Sequence, residues 1–215
     1  MKVVSLIPAR KGSKGIPNKN LVDLCGKPLI YYSINASKQS YVEETWVSSD
    51  SEEILEISKN FGAKTLKRPL ELSDDNATSE SVLLHFAKNV DFDILVFIQC
   101  TSPLIEFNDI NEGIKKMKKF DSVVSVCETN QMFWDSNGPL YDLNNRTRRQ
   151  EGIKRYLETG SFFITTKKNL LKFNNRLSGN IGFVEIPKLR SFDIDCYEDL
   201  KIVKILINSK DLTNE

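Results

Sequence analysis

A cluster of cations near the N-terminus could bind phosphate. It follows the apolar run 3–7 and contains Arg10, Lys11, Gly12, Ser13, Lys14, Gly15, Lys19 and Asn20. Backbone N–H groups and positive charges placed directly after a strand are typical of phosphate sites in α/β proteins. The spacing matches neither the Walker loop nor the dinucleotide fingerprint. A solvated basic loop is the alternative, but open α/β sheets bind ligands at the carboxyl ends of their strands, which favours phosphate binding.

Two carboxylates near the C-terminus could hold a metal ion. Asp193 and Asp195 are separated by one residue, so on an extended segment both side chains point to the same side. Mg²⁺ is usually held by one or two carboxylates together with phosphate oxygens. A surface pair, or Asp195 as the cap of the last helix, is the alternative. A neighbouring triphosphate-binding loop favours the metal site.

Three other polar positions are candidates for binding. Thr78 or Ser79 is expected to cap a helix, and Ser79 is also a candidate contact to the nucleotide or sugar. His85, the single histidine, is expected to pack on that helix rather than to catalyse. Arg149 and its neighbouring arginines are either a solvated patch or a site that captures a carboxylate through bidentate hydrogen bonds.

The elements that would position these residues alternate between strands and helices. Apolar β-rich runs predict strands at 3–7, 45–49, 63–66, 94–98, 122–127, 161–165 and 182–186. Amphipathic segments predict helices at 29–37, 52–60, 79–90, 109–119, 167–173 and 197–208. Ser51 is predicted to cap the second helix, and Asn108 or Asp109 the fourth.

This order predicts one α/β domain over residues 1–215, doubly wound and Rossmann-like, with a mostly parallel sheet. Several strand ends would then meet at one crevice, bringing together Arg10, Lys14, Lys19, Arg68 and Gln99. That number of converging cations suggests a nucleoside triphosphate. The pattern loosens between 128 and 152, where aromatics lie beside arginines. Since such a mixture suits a subunit interface, we predict a dimerisation excursion at about 128–175.

Composition excludes several classes of protein. The chain has 215 residues, a net charge of +1 and four cysteines. The balanced charge argues against a nucleic-acid or membrane partner, and widely spaced cysteines without a C-x-x-C pair argue against zinc or redox motifs. No N-terminal apolar segment resembles a targeting signal. We therefore expect a soluble, cytoplasmic protein with reduced thiols.

Four stretches together resemble the CMP-sialic acid synthetases, or acylneuraminate cytidylyltransferases. The first is IPARKGSKGIPNKN, which is similar to that family's signature loop. The others, in the same order, are RP-x2-L-x-D from position 68, QCTSPL from 99 and DID-x3-DL from 193. The match spans nearly the whole chain. The Kdo cytidylyltransferases fit less well because their first loop is rich in arginine.

The resemblance implies that CTP and a nonulosonic acid, a nine-carbon 2-keto sugar acid, give the CMP-sugar and pyrophosphate. By similarity, CTP would be bound by Arg10, Ser13, Lys14, Lys19, Asn20, Arg68 and Ser79. Asp193 and Asp195 would hold Mg²⁺, and with Arg10 and Lys19 they would form the catalytic set. The anomeric hydroxyl would attack the α-phosphorus, and Asp193 or a metal-bound hydroxide would take its proton.

The sugar half of the site is where this sequence departs from the family. By resemblance, Gln99 would contact the sugar, and Arg149 could reach the sugar carboxylate across a homodimer with shared active sites. Cys100 stands where the family commonly has proline, while Thr159 and Phe163 replace an asparagine and a tyrosine. Because hydrogen-bonding sites reject analogues strongly, the acid could instead be legionaminic, pseudaminic, Kdo-type or an 8-amino sugar. A non-catalytic nucleotide-binding module is the remaining alternative.

Overall fold

The computed structural model describes residues 1–144 and 154–209. Its main strands are β1 (Val3–Pro8), β2 (Glu44–Ser49), β3 (Lys64–Lys67), β4 (Ile94–Ile98), β5 (Ser122–Thr129), β6 (Arg155–Thr166) and β7 (Ile181–Glu185). Its α-helices are α1 (Leu29–Gln39), α2 (Glu52–Asn60), α3 (Ser79–Asn89), α4 (Phe107–Lys116), α5 (Lys167–Phe173) and α6 (Tyr197–Asn208). Short 3₁₀ helices lie at Lys19–Leu21, Leu70–Leu72 and Lys188–Arg190. Two-residue strands pair Asp23–Leu24 with Lys27–Pro28, and Trp134–Asp135 with Gly138–Pro139.

The seven main strands form one sheet in the order β7-β5-β6-β4-β1-β2-β3. β6 pairs antiparallel with both β4 and β5, and the other neighbouring pairs are parallel. The predicted α/β fold with a mostly parallel sheet is therefore confirmed. β4 is a continuous apolar run, and β1 is one apart from the buried Ser5, because helices cover both faces of the sheet at its centre.

Alternate residues of each strand supply two separate cores. Ile7 of β1 belongs to the core under α1, α2, α4 and α6. Leu6 belongs to the core on the opposite face, under α3 and α5. The helices cover these faces with apolar stripes. The N-termini of α2, α3, α4 and α6 lie at the carboxyl edge of the parallel strands, whereas α5 begins at the opposite edge because β6 is antiparallel. The carboxyl edge carries the predicted site residues.

Helix caps fix the starts of α2, α3 and α4. The Ser51 side chain accepts a hydrogen bond from the N–H of Ile54 at 3.5 Å, as predicted. Thr78, one of two predicted candidates, caps α3. The prediction of Asn108 or Asp109 as the cap of α4 was wrong. Glu106 occupies the cap position, and the Asp109 carboxylate instead reaches back to accept from its N–H at 3.0 Å.

The predicted excursion at 128–175 divides into different parts. Residues 130–144 leave the sheet and contain one short hairpin, whereas β6 and α5 belong to the main domain.

Among the described residues, none of the helices is both long enough and apolar enough to cross a membrane.

Candidate active site

The N-terminal loop packs against the segment that carries the paired aspartates. Asn18 adopts a left-handed conformation with φ 51°, which asparagine tolerates, and turns the chain into the 3₁₀ helix that begins at Lys19. The Lys19 Nζ then donates to the Ile194 carbonyl at 2.8 Å and to the Asp195 carboxylate at 2.9 Å. A Cβ built on Gly15 would overlap the Asp195 carbonyl oxygen. Only glycine allows the two segments to approach this closely.

The segment 193–195 is itself fixed to the loop that follows β4. Ile194 is fully buried, and its N–H donates to the Thr101 carbonyl at 2.9 Å. The Ser102 hydroxyl donates to the Asp193 carboxylate at 3.2 Å. Because Ile194 points inward, the two flanking carboxylates turn toward the crevice, as expected for an extended segment.

The environments of the two carboxylates differ. Asp193 is partly buried, and burial is the main cause that raises its pKa, with the Asp195 charge adding to the effect. The side chain of Asp195 is 75% exposed. Across residues 1–144 and 154–209, no three His, Cys, Asp or Glu side chains form a metal-binding group. Two carboxylates beside a phosphate-binding loop nevertheless have the donor chemistry that Mg²⁺ accepts, since it retains waters and takes phosphate oxygens.

A cavity of about 260 Å³ opens beside the N-terminal loop, and Arg10, Arg68 and Ser79 line it. The Arg10 guanidinium donates to the Asp74 carbonyl and contacts the Asp75 carboxylate, each at 2.9 Å. The Lys14 ammonium contacts the other oxygen of Asp75 at 3.1 Å, and these contacts to Lys14 and Arg10 lower the pKa of Asp75. An acidic side chain therefore holds two cations that were predicted to bind CTP.

Arg68 forms the inner wall of this cavity. Arg68 is only 4% exposed, and its Nε donates to the Ser73 hydroxyl at 3.0 Å. Its Nη2 has no hydrogen-bond partner among the described residues. Burial lowers its pKa, against the opposing effect of the Asp50 charge. A buried guanidinium with an unused donor is costly unless a ligand supplies an acceptor.

Two other predicted CTP contacts occupy structural positions in the loop. The Asn20 side-chain amide is buried and donates to the Arg10 carbonyl at 2.9 Å, which fixes the shape of the loop. Ser13 is partly buried at the turn of the same loop. His85 lies on α3, where burial and then the Arg68 charge lower its pKa. The roles of Asn20 and Ser13 toward a nucleotide stay predictions.

Gln99 directly follows β4 and does not line this cavity. Its N–H donates to the Ser161 carbonyl at 3.0 Å, which joins the end of β4 to β6. Gly160 has φ +71°, and a Cβ there would lie 3.6 Å from the Gln99 amide nitrogen. The pairing of β6 with β5 is irregular between Glu158 and Phe163, next to Gln99, which is partly buried.

The structure gives Thr159 and Phe163 mainly interior contacts. The Thr159 hydroxyl donates to that of Ser125 at 2.8 Å and accepts from that of Ser161 at 3.1 Å, within a buried cluster of hydroxyls. Phe163 is 1% exposed, and the guanidinium of Arg176 lies 4.4 Å from its ring centroid. Arg149 lies outside the described residues. The predicted sugar contacts of all three stay predictions.

Sequence reasoning missed two arginines at this edge of the sheet. Arg190, which lies three residues before Asp193, makes a bidentate ion pair with Asp109 of α4. Arg176 covers Phe163 and pairs with Glu80 of α3. Each contact joins residues distant in the chain, and no local pattern marks it. Cys100 was noted only as a departure from the family, and burial raises the pKa of its thiol.

Comparison with known proteins gives the family. A profile described as cytidylyltransferase matches residues 4–212. The chain belongs to the cytidylyltransferase family.

Named relatives of this cytidylyltransferase confirm the resemblance seen in the four motifs. N-acylneuraminate cytidylyltransferase B of Danio rerio is 36% identical over 203 residues, which are 89% of this chain and 48% of that protein. Pseudaminic acid cytidylyltransferase of Campylobacter jejuni is 32% identical over 223 residues and 96% of each chain. The chain therefore spans about half of the first relative and nearly all of the second.

Solved structures confirm the fold of this family member. A CMP:2-keto-3-deoxy-manno-octonic acid synthetase complexed with CTP has a TM-score of 0.77 at 20% identity, over 96% of this chain and 98% of that one. The 4-diphosphocytidyl-2C-methyl-D-erythritol synthase of Anaerococcus prevotii has a TM-score of 0.73 at 10% identity, over 97% and 99%. At these identities the likeness concerns the fold alone.

Proposed function

We propose that this chain transfers CMP from CTP to a nonulosonic acid and releases pyrophosphate. The observation that carries the proposal is the convergence of the N-terminal cationic loop on the Asp193–Asp195 segment, through the 2.9 Å contact between Lys19 and Asp195. Family membership and the names of the relatives support it. A nucleotide-binding wall and a metal-binding wall then face one another across a single crevice.

The positively charged side chains indicate which half of the crevice would bind the nucleotide. Arg10 and Lys19 would neutralise the triphosphate, while the buried Arg68 and Ser79 line the adjoining cavity. The unused donor of Arg68 suits an acceptor atom of a ligand. Lys14, which is held by the exposed Asp75, would transfer to a phosphate oxygen when CTP binds.

Mg²⁺ is the cofactor that suits the paired carboxylates. Asp193 and Asp195 would hold it, and when bound it would neutralise charge on the phosphates. Ser102 and Thr101 keep the segment in place from the β4 side. Those fixed contacts orient the carboxylates before any ligand arrives, and preorganised charge lowers the barrier of phosphoryl transfer.

The reaction is a single displacement at phosphorus. The anomeric 2-hydroxyl oxygen of the acid forms a bond to the α-phosphorus, the bond from that phosphorus to the pyrophosphate oxygen breaks, and the hydroxyl proton passes to the Asp193 carboxylate or to water. Arg10 and Lys19 stabilise the charge that develops on the departing pyrophosphate. Holding the two substrates in line supplies much of the rate enhancement.

The acid is accommodated at the end of β4 and the adjoining residues 159–163 of β6, near Gln99. Phe163 and Thr159 lack the phenol and amide that the family resemblance places there, so the acid need not be N-acetylneuraminic acid. The full-length likeness to a pseudaminic acid cytidylyltransferase favours that acid as a second candidate. Kdo-type, legionaminic and 8-amino acids complete the panel to be tested.

A homodimer is the assembly that suits the surface of this chain. The hairpin region and the adjoining ends of β6 and β7 expose a set of large apolar side chains: Phe133, Trp134, Leu140, Leu143, Tyr156, Leu157 and Phe183. Association through this surface would cover them. We propose a cytoplasmic setting because the substrate CTP is a cytoplasmic nucleotide and the four cysteines are free thiols.

Two assays test the proposed function. Isothermal titration with CTP, ATP, GTP and UTP in the presence of Mg²⁺ should give binding with CTP preferred. Pyrophosphate release should then appear when CTP is combined with one or more nonulosonic acids. Binding of CTP without turnover of any acid would instead support a non-catalytic nucleotide-binding module. Absence of both would refute the proposal.

A further inference from the structure

The end of β2 contacts both segments that supply the arginines of the nucleotide cavity. Three consecutive residues at this end, Ser48, Ser49 and Asp50, each accept a hydrogen bond from a neighbouring segment. β2 lies between β1 and β3 in the sheet, so its end reaches the residues that follow both of these strands. Arg10 follows β1, and Arg68 follows β3.

Two of the three hydrogen bonds join main-chain atoms. The Ala9 N–H donates to the Ser48 carbonyl at 2.9 Å, and the Arg68 N–H donates to the Ser49 carbonyl at 2.8 Å. These bonds extend the pairing of β2 with β1 and with β3. Any residue type supplies a main-chain carbonyl, so these two contacts do not depend on the side chains of β2.

The third hydrogen bond depends on the side chain of Asp50. Its carboxylate accepts from the Lys11 N–H at 2.9 Å. On the other side of Arg10, the Ala9 N–H is bound to β2, and the Arg10 carbonyl itself accepts from the Asn20 amide at 2.9 Å. The backbone of Arg10 is therefore held at three points, and its side chain extends from there to line the cavity.

The negative charge of Asp50 also acts on Arg68. Burial lowers the pKa of the Arg68 guanidinium, the Asp50 charge opposes this change, and the charge of Arg10 adds to it. Asp50 is not among the residues that line the cavity, whereas Asp75 is. The charge of Asp50 thus offsets that of the two arginines without occupying the space of a ligand.

We propose that Asp50 is a positioning residue that holds the backbone of Arg10 where its side chain can reach the phosphates of CTP. The inference rests on the proposed function and adds a residue outside the cavity on which phosphate binding depends. A carboxylate that accepts from a backbone N–H makes a charge-assisted hydrogen bond, which is about twice as strong as a neutral one. Without an acceptor at position 50, the Lys11 N–H loses its partner and the start of the loop can shift.

The test separates the hydrogen bond from the charge by comparing Asp50→Asn with Asp50→Ala. Asparagine keeps an oxygen that accepts from the Lys11 N–H, whereas alanine removes both the acceptor and the charge. Titration calorimetry with CMP and with CTP, in the presence of Mg²⁺, gives the gain in affinity that the β- and γ-phosphates supply. This gain should fall about tenfold in Asp50→Ala, the effect of one charge-assisted hydrogen bond. It should stay close to the wild-type value in Asp50→Asn.

A matched control removes a neighbouring charge that lies outside these contacts. Glu53→Gln changes an exposed residue in the first turn of α2 and should keep the wild-type gain. Asp50→Leu preserves the volume of the side chain, and it replaces Asp50→Ala in the comparison if the alanine variant does not fold.

Denaturant unfolding of the same variants separates positioning from stability. Both Asp50→Asn and Asp50→Ala leave the buried Arg68 without the opposing charge, so the unfolding midpoint should fall in both. A purely structural or purely electrostatic role predicts the same change in phosphate gain for the two variants. Equal changes in both, or a wild-type gain in Asp50→Ala, would overturn the inference. Wild-type protein that does not bind CTP would instead refute the proposed function itself.

Discussion

Lys19 and Asp195 are 176 positions apart in the chain, yet the Lys19 Nζ lies 2.9 Å from the Asp195 carboxylate. The lysine side chain is only 13% exposed, whereas that of Asp195 is 75% exposed. One end of the pair is thus fixed in the protein and the other faces the crevice. This contact closes the phosphate-binding loop onto the candidate metal segment and defines the centre of the site.

Gly15→Ala should disrupt this closure. A Cβ at position 15 would overlap the Asp195 carbonyl oxygen, so the loop or the segment 193–195 must shift. Misplacement by about 1 Å can reduce catalysis about 100-fold, and we expect a loss of that order in kcat for pyrophosphate release. Gly12→Ala is the matched control, because a Cβ at position 12 meets no atom within 4 Å. Equal activity of the two variants would show that the close approach is unimportant.

Asp75→Asn should tighten CTP binding. Asp75 neutralises Arg10 and Lys14 through contacts of 2.9 and 3.1 Å, and the triphosphate must displace it. Exposed ion pairs contribute little because water and salt screen them, so the Kd measured by titration calorimetry should fall at most about fivefold. Glu71→Gln removes an equal charge from an exposed residue in the same segment and should have little effect. Weaker binding by Asp75→Asn would mean that Asp75 assists CTP.

Arg190 should act by positioning the segment 193–195. Its side chain is 12% exposed and pairs with the Asp109 carboxylate, which is 8% exposed. Arg190→Ala leaves that carboxylate buried and unpaired, which should lower the free energy of unfolding by about 3 to 5 kcal/mol. In Arg190→Met, Asp109→Asn the charge pair is removed while an acceptor for the α4 cap remains, so denaturant unfolding should show partial recovery.

The double variant also separates positioning from stability. If Arg190 positions the paired aspartates, kcat should stay reduced after stability returns, while the KM for CTP changes little. Recovery of kcat in step with the free energy of unfolding would instead assign Arg190 a purely structural role.

Glu44 should make folding stability depend on acidic pH. Its contacts with Lys64 first, then with the Trp46 indole N–H, lower its pKa from 4.5 to about 2. A carboxyl whose pKa is lower in the folded state stabilises the fold above its unfolded pKa, and this contribution is lost as pH falls from 4.5 toward 2. Glu44→Gln should cost about 1 kcal/mol near neutral pH and progressively less below that window.

Denaturant titrations of the wild type and of Glu44→Gln at several pH values give the free energies of unfolding that check this prediction. Glu56→Gln, at an exposed position of α2, is the control and should give a constant difference from wild type. A Glu44→Gln difference that does not shrink with acidification would contradict the assignment.

Local sequence signals predicted the framework of the fold. The limits of α2 agree with prediction because Ser51 caps its start and Gly62, with φ +83°, follows its end. β1 and β4 were recognised because central strands of a parallel sheet are buried on both faces and therefore mostly apolar. The cap of α4 was mispredicted because Glu106 can begin the helix while Asp109 serves Arg190 and the cap N–H together.

The parts of the site that were missed depend on contacts between distant residues. The loop cations and paired aspartates stood out because each group is clustered in sequence. Arg176 over Phe163 and Arg190 beside Asp109 depend on where α3, α4 and the antiparallel β6 lie in space. No local composition or spacing marks such partners, so only the folded chain brings them together.

The central claim is that the N-terminal loop and the segment 193–195 form one site that transfers CMP to a nonulosonic acid. Mass spectrometric detection of the CMP-linked acid, with pyrophosphate measured in the same reaction, tests it most directly. Wild type should form one pyrophosphate per CMP-sugar with Mg²⁺, and Asp195→Asn should form neither, while Glu198→Gln, an exposed neighbour, should resemble wild type. Wild-type turnover by Asp195→Asn, or no CMP-linked product from any acid, would contradict the account.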